Sequence, residues 1–172
     1  MLGHSRFKNR LISKIAARFP AISRRVIASY DPLESHDIPW TPMLKPLDRC
    51  RVALVTTAGV HLKSQKPFDM HDKDGDPSFR EIDSHTKTRD LVITHDYYDH
   101  SDADRDKNIV FPMERLQEFA LEGLIGEAAP MHYGFMGHIT GQHVVTLMEK
   151  SAPQVASLLK KQQVDCVLLT PG

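Results

Sequence analysis

A chain of 172 residues with 41% hydrophobic content is long enough to bury one core, and a single main domain is expected. Its 22 basic and 22 acidic residues give no global bias toward nucleic acid, and two distant cysteines, Cys50 and Cys166, exclude a disulfide framework and a CxxC-type metal site. No apolar run approaches the roughly 20 residues of a membrane helix, and no secretory leader is legible, so a cytoplasmic protein without a membrane span is expected.

Residues 5 to 30 read as two short amphipathic helices. Phe7, Leu11, Ile12, Ile15 and Phe19 share one face at helical spacing, Arg6, Lys8, Arg10, Lys14 and Arg18 cover much of the rest, and Pro20 ends the first helix. Val26, Ile27 and Tyr30 give the second helix its apolar side. Residues 1 to 30 hold seven Lys or Arg and no acid, leaving 15 basic against 22 acidic residues beyond them. The expected arrangement is an apolar face packed on the body with the cationic face in solvent. Anionic lipid, nucleic acid or an acidic partner surface are the other occupants open to such a helix. A mitochondrial presequence has a similar composition, but no processing boundary follows. Residues 31 to 50 set Pro32, Pro39, Pro42 and Pro46 around Trp40, which reads as an extended tether anchored by Trp40. Residues 1–50 are therefore read as helices plus tether, and 51–172 as the main domain.

Arg51 to Thr57, RVALVTT, is the first strong strand, and its unalternating apolar run fits a parallel sheet covered on both faces. Gly59 then permits a positive-φ turn, from which His61 is expected to emerge at the strand's carboxyl edge. Residues 63 to 90 are polar and irregular. Counting from Asp72, the DKDGDPSFRE segment places glycine and glutamate out of step with a calcium loop, so Asx-type turns are expected instead. Leu91 to Thr94 reads as another buried strand, and it leads into the acidic segment HDYYDHSDADRD, residues 95 to 106, with five aspartates. A strand-to-helix loop of this kind belongs at the carboxyl edge of an open parallel sheet, where ligands bind. His95, Asp99 and His100 offer mixed metal donors, but residues 99 and 100 are adjacent and rarely converge, so no metal site is expected.

Met113 to Gly123 reads as a helix opened by Pro112 and closed by Gly123, with Leu116, Phe119 and Ala120 inward. MHYGFMGHITG, residues 131 to 141, has glycines suited to close backbone approach or to turns, in neither a GxGxxG nor a P-loop spacing. Val144 to Met148 and Pro153 to Lys161 read as two helical segments, the second opened by Ser151 in a capping box with Gln154. Val164 to Leu169, VDCVLL, reads as a second apolar strand, expected to be buried, and Thr170, Pro171 and Gly172 follow it. The alternation predicts a three-layer α/β sandwich with a mainly parallel, Rossmann-like or flavodoxin-like sheet. A strand that reaches the carboxyl edge without a returning crossover leads us to expect that the domain is incomplete at Gly172.

VALVTTAGVHLKSQKPF, GDPSFREID, HDYYDHSDADRDKNIVFPMERL, YGFMGHI and DCVLLTPG, taken in order, resemble the selenoprotein B family of glycine, sarcosine, betaine and D-proline reductases over about residues 39 to 172. In size and starting point the chain is nearest the family's small D-proline-directed selenocysteine subunits. The resemblance implies a selenocysteine-x-x-cysteine pair directly after the Thr-Pro-Gly turn, so the chain would be the amino-terminal part of a longer subunit, inactive alone. It also implies a partner subunit holding the substrate amine through a pyruvoyl group, selenolate attack at the α-carbon, cleavage of the carbon–nitrogen bond, and a small selenoprotein or thioredoxin-type reductant. Neither Cys50 nor Cys166 stands where the nucleophile or the resolving cysteine would be.

What remains for this chain is a supporting set. His61, His95 and His100 are candidate proton donors to the leaving amine. Gly59, Asp96, Asp99, Asp102 and Gly172 are candidate substrate-binding positions, the aspartates by orienting the histidines or pairing with a cationic substrate. Asp96, Tyr97 and His100 depart from the glycines and asparagine expected of D-proline-directed members, which leaves the substrate among proline, glycine, sarcosine and betaine open. The competing reading is a non-catalytic docking module of the same fold, in which the basic start and the acidic loop bind other subunits.

Overall fold

The computed structural model describes residues 3–19, 21, 24, 28 and 41–172. Most of the expected second helix, together with Pro20, Pro32, Pro39 and Trp40, lies outside the described residues.

The architecture is α/β with a mainly parallel sheet, as the alternation of apolar runs and helical patterns predicts. Strand β1, Arg51–Thr56, is central, with Val52, Ala53, Leu54 and Thr56 buried. On one side it pairs in parallel with β7, Cys166–Thr170, through five residue pairs from Val52–Cys166 to Thr56–Thr170. On the other side, β5 (Glu127–Ala128) lies parallel to its start and β6 (Met131–Phe135) parallel to its end. Beyond β6, strand β3 (Phe79–Asp83) is antiparallel. The helical elements are α1 (Gly3–Arg18), α2 (Ser101–Arg105), α3 (Met113–Leu121), α4 (Gln142–Thr146) and α5 (Ala152–Lys161).

Alternation along the strands divides the core between two faces. Val52, Leu54 and Ile82 pack with Phe111, Met113 and Leu116 on the α3 side. Tyr133 and Phe135 pack with Val155, Leu158 and Leu159 of α5 on the other, joined by Val55. Two covered faces explain why β1 reads as continuously apolar.

Several expectations need correction. Leu91 to Thr94 does not join the parallel sheet: β4, Leu91–Ile93, pairs antiparallel with β2, Val60–Leu62, as a separate ribbon. Polar residues 63 to 90 contain β3, and the glycine-bearing 131 to 141 segment opens with β6, an inner strand. Gly134 interrupts the apolar pattern of β6 because a Cβ there would stand 2.2 Å from the Val60 carbonyl oxygen, so the ribbon crosses tightly over this point. The two carboxyl-terminal helical segments form one run, α4 joined to α5 by a π-helical turn, Leu147–Ser151. Ser151 is helical and caps nothing. Pro153, lacking an N–H, removes an interior helical bond, and a π turn re-routes the neighbouring carbonyls. Finally, β7 is half-exposed, with Leu169 71% accessible, because among the described residues no strand pairs with its outer edge; Phe119 of α3 is likewise 45% accessible.

Gly134→Ala is expected to lower stability by about 1–3 kcal/mol through overpacking against Val60, while Leu121→Ala, on an exposed helix position, stays within about 0.5 kcal/mol. Urea denaturation of the two variants beside the wild type makes the comparison; equal midpoints would contradict the close crossing.

Candidate functional site at the carboxyl edge

The parallel strands β1, β6 and β7 finish side by side. Thr57 N–H donates to the Thr170 carbonyl at 3.0 Å, continuing the β1–β7 ladder past the strand ends. Beneath it, Thr56 Oγ1 and Thr170 Oγ1 both donate to the Val110 carbonyl, at 3.0 and 2.6 Å, which ties the segment following α2 to both strands. Gly59 has φ +74°, and its N–H donates to the Phe135 carbonyl at 2.9 Å. Thr94 N–H returns to the Gly59 carbonyl at 2.9 Å, so the acidic segment reaches the edge through the β2–β4 ribbon rather than from a sheet strand.

Backbone approach at this junction is close enough that only glycine fits. A Cβ on Gly172 would lie 2.2 Å from Ala58 Cα. One on Gly137 would lie 2.8 Å from the Thr57 carbonyl oxygen, 3.3 Å from His95 Nε2 and 3.6 Å from the Gly172 oxygen. His95 Nε2 and the ends of all three strands thus surround a single point.

His95 is the residue whose chemistry is unfinished. Its ring is buried, 4.8 Å from the Tyr98 ring and 5.9 Å from that of Tyr97. Tyr97 N–H donates to Nδ1 at 3.1 Å. An amide N–H only donates, so Nδ1 is the unprotonated nitrogen and the neutral ring carries its proton on Nε2. Nε2 is buried and has no hydrogen-bond partner among the described residues, a costly state for a polar atom. Burial, then the nearby His100 and His138 against the opposing influence of Asp96, bring the ring's pKa down to about 4, so it is neutral at pH 7. Tyr98 donates its hydroxyl to the Ala58 carbonyl at 3.1 Å, and burial raises its pKa well above the phenol range. Tyr97 stacks on His138 with centroids 3.8 Å apart.

Other sequence-selected residues are placed differently. His61 does not emerge at the edge: it is buried in β2, with Nδ1 2.8 Å from the Leu62 carbonyl and Nε2 2.8 Å from Thr94 Oγ1. His100 lies in the outer wall, Nδ1 2.7 Å from Asp104 Oδ2. Asp99 accepts from Ser101 N–H at the start of α2, and the Ser101 hydrogen bonds hold its carboxyl below the usual range. Asp102 is exposed and pairs with Arg105 at 3.0 Å. Asp96 is buried beside His95 and is held from across the chain by Arg6 of α1, Nε to Oδ2 2.6 Å. The residues that sequence reasoning missed are Gly137 and Tyr98, while Tyr97 enters it only as a departure from D-proline-directed members. Their spacing gives no sign of convergence, although YYDH next to an apolar strand and a glycine between Met136 and His138 mark the segments.

The 69–78 loop uses its aspartates for turns, as expected. Asp69, Asp72 and Asp76 accept from the N–H groups of His71, Asp74 and Ser78. Among the described residues no three His, Cys, Asp or Glu side chains converge as metal ligands would. Cys50 is buried and Cys166 half-buried, both as free thiols.

A mainly parallel α/β sheet with a glycine-lined carboxyl edge, beside a buried histidine whose Nε2 has no partner among the described residues, defines an open-sheet α/β protein of the class in which ligands generally bind at that edge. Comparison with known sequences gives the family. The sequence profile of glycine/sarcosine/betaine reductase selenoprotein B matches residues 23–172, so the chain belongs to that family. It is 41% identical over 133 residues to D-proline reductase subunit gamma of Acetoanaerobium sticklandii, covering 77% of this chain and 53% of that one. It is 30% identical over 147 residues to glycine reductase complex component B subunit gamma of Symbiobacterium thermophilum, covering 81% and 32%. The chain therefore matches about half of the first relative's length and a third of the second's. No solved structure matches it.

The buried histidines generate a pH prediction. His132 is also wholly buried, accepts the Leu54 N–H on Nδ1 at 3.1 Å, and is lowered to about 4 by burial. His95 and His132 thus stay neutral in the fold, whereas in the unfolded chain each takes a proton near pH 6.5. As pH falls below about 6.5 the unfolded state binds more protons, so stability declines down to about pH 4. The loss is on the order of 3 kcal/mol per ring at full effect. Urea denaturation at about pH 7, 5.5 and 4.5 tests this; a midpoint that does not move would contradict neutral buried rings.

Proposed function

We propose that this chain forms the reaction face of a reductase subunit that cleaves the α-carbon to nitrogen bond of a small amino acid or amine, of the class that includes proline, glycine, sarcosine and betaine. The observation that carries the reading is the junction of β1, β6 and β7, where the buried Nε2–H of His95 lies unpartnered among the described residues beside Gly137 and Gly172. Family membership supports the reductase class, and the relatives' names support the substrate range.

In this reading a selenocysteine follows Gly172 in the native polypeptide, a pyruvoyl group on a partner subunit holds the substrate, and a small selenoprotein or thioredoxin-type protein returns electrons. The residues at the edge fit a selenol: the glycines let the strand ends close together beside His95, and a fixed neutral N–H favours an anionic acceptor over its protonated form. The selenol supplies a readily ionised nucleophile.

This chain's own contribution is positioning. Tyr97 N–H keeps the His95 proton on Nε2, and burial keeps the ring from charging. With Nδ1 occupied, the ring neither accepts a proton at Nε2 nor releases one readily. It acts as a fixed donor, and His100 at the half-exposed wall is left as the group to exchange a proton with the leaving amine. Asp102, exposed and paired with Arg105, would have to exchange that partner to meet a cationic substrate, and Asp96 with Arg6 ties the loop beside His95 to α1.

Two measurements test the reading. Intact mass and selenium content of the native polypeptide should show a chain longer than 172 residues with one selenium; a selenium-free product of this length would overturn it. In the complex reconstituted with its partner subunits, His95→Ala should lower kcat by about 10²–10³-fold, the cost of losing one preorganised donor. His95→Gln, which keeps an N–H, should recover part of that loss, and His143→Ala should leave kcat unchanged.

A further inference from the structure

Helix α1 is packed with its amphipathicity reversed. The side turned to the body is polar: Arg6, Asn9, Ser13 and Ala16 are half-buried, with Arg6 bound to Asp96 and Arg10 Nε 3.9 Å from the same carboxylate. The apolar residues expected to be buried, Phe7, Leu11, Ile12, Ile15 and Phe19, all face solvent at 38% to 70% accessibility. Phe19 continues the stripe because its N–H still donates to the Ile15 carbonyl at 2.9 Å. The physical reason is local. Asp96 is nearly inaccessible beside His95, and a buried carboxylate requires a partner; Arg6 supplies it, which fixes the rotation of the helix and turns the opposite side outward.

We propose that the outward face of α1 docks this protein onto an anionic lipid surface, the helix lying in the headgroup layer while its polar side holds the α/β body. Three features select this occupant. Residues 1 to 30 contain seven cations and no acid, so the helix's own charges favour an anionic surface, while the carboxylates near it, Asp96 and Asp99, lie on its body side. At about 100° per residue, Lys8 and Arg18 fall inside the arc of the five apolar side chains. A protein groove closing on this face would have to bury both cations, whereas in a headgroup layer their stems lie along the apolar boundary and their charges reach phosphate. Pairing with the same helix of a second copy would bring Lys8, Lys14 and Arg18 against like charges. The helix also precedes the family match, which begins at residue 23, so the docking face is separate from the shared domain.

The test is co-sedimentation of the full chain with vesicles of phosphatidylcholine alone and of phosphatidylcholine with one-quarter phosphatidylglycerol. Binding to the anionic vesicles should exceed binding to the neutral ones by at least tenfold and weaken at high salt. Leu11→Ser with Ile15→Ser, and separately Lys8→Glu with Arg18→Glu, should each reduce it tenfold or more while thermal unfolding stays at the wild-type temperature, since these side chains touch no core. Absence of binding to anionic vesicles overturns the proposal, as does binding that both double variants retain. Light scattering after gel filtration supplies a further arm. A wild-type dimer that Leu11→Ser with Ile15→Ser converts to monomer, with no vesicle binding, assigns the face to a second copy and also overturns it.

Discussion

The parallel register of β1 against β7, from Val52–Cys166 to Thr56–Thr170, decides where everything else in this protein can go. It brings two strand ends to the same height, so that Thr56 and Thr170 present their hydroxyls to one acceptor, the Val110 carbonyl. That shared carbonyl pulls the segment after α2 underneath the edge, and Thr57 extends the ladder one bond beyond the strands. With the floor fixed in this way, the space above it is left to groups without side-chain bulk. Gly137 and Gly172 take those places, and their approach to Thr57 and Ala58 excludes any larger residue.

Three histidines from the sequence-selected set end in three different states, and the differences follow from what each ring nitrogen meets. Both nitrogens of His61 are engaged, by Leu62 and Thr94, which makes it a structural tie within the ribbon. His100 keeps one nitrogen on Asp104 in a partly open wall. Of these three, His95 alone combines burial, a tautomer set by a backbone N–H and, among the described residues, an idle proton-bearing nitrogen; His132 shares that state inside the core, and what distinguishes His95 is its place beside Gly137 at the strand ends. A neutral imidazole of this kind is suited to holding an acceptor atom in place, a task for which a fixed dipole in a dry site is more effective than a mobile charge.

The contact between Arg6 and Asp96 links this interior to the surface of the molecule. It neutralises the carboxylate next to His95 and at the same time fixes the orientation of α1, whose apolar stripe is thereby turned outward. One ion pair therefore sets both the electrostatics beside the edge and the character of the face that the amino-terminal helix offers to its surroundings.

Local chemistry in the sequence was sufficient for the elements that depend on their own residues. The apolar run of β1, the proline and glycine that bracket α3, the aspartate turns of the 69–78 loop and the α/β alternation were all legible from nearest neighbours and period. The family resemblance was carried by words such as HDYYDHSD and LLTPG. What could not be read was pairing over distance. FREID and MHYGF become strands because they pair with each other, and Leu91–Ile93 joins a ribbon because Val60–Leu62 lies opposite; no local preference contains that information. The rotation of α1 was misjudged for the same reason: hydrophobic period reveals that a helix has two faces, but a buried carboxylate 90 residues away decided which of them turned inward.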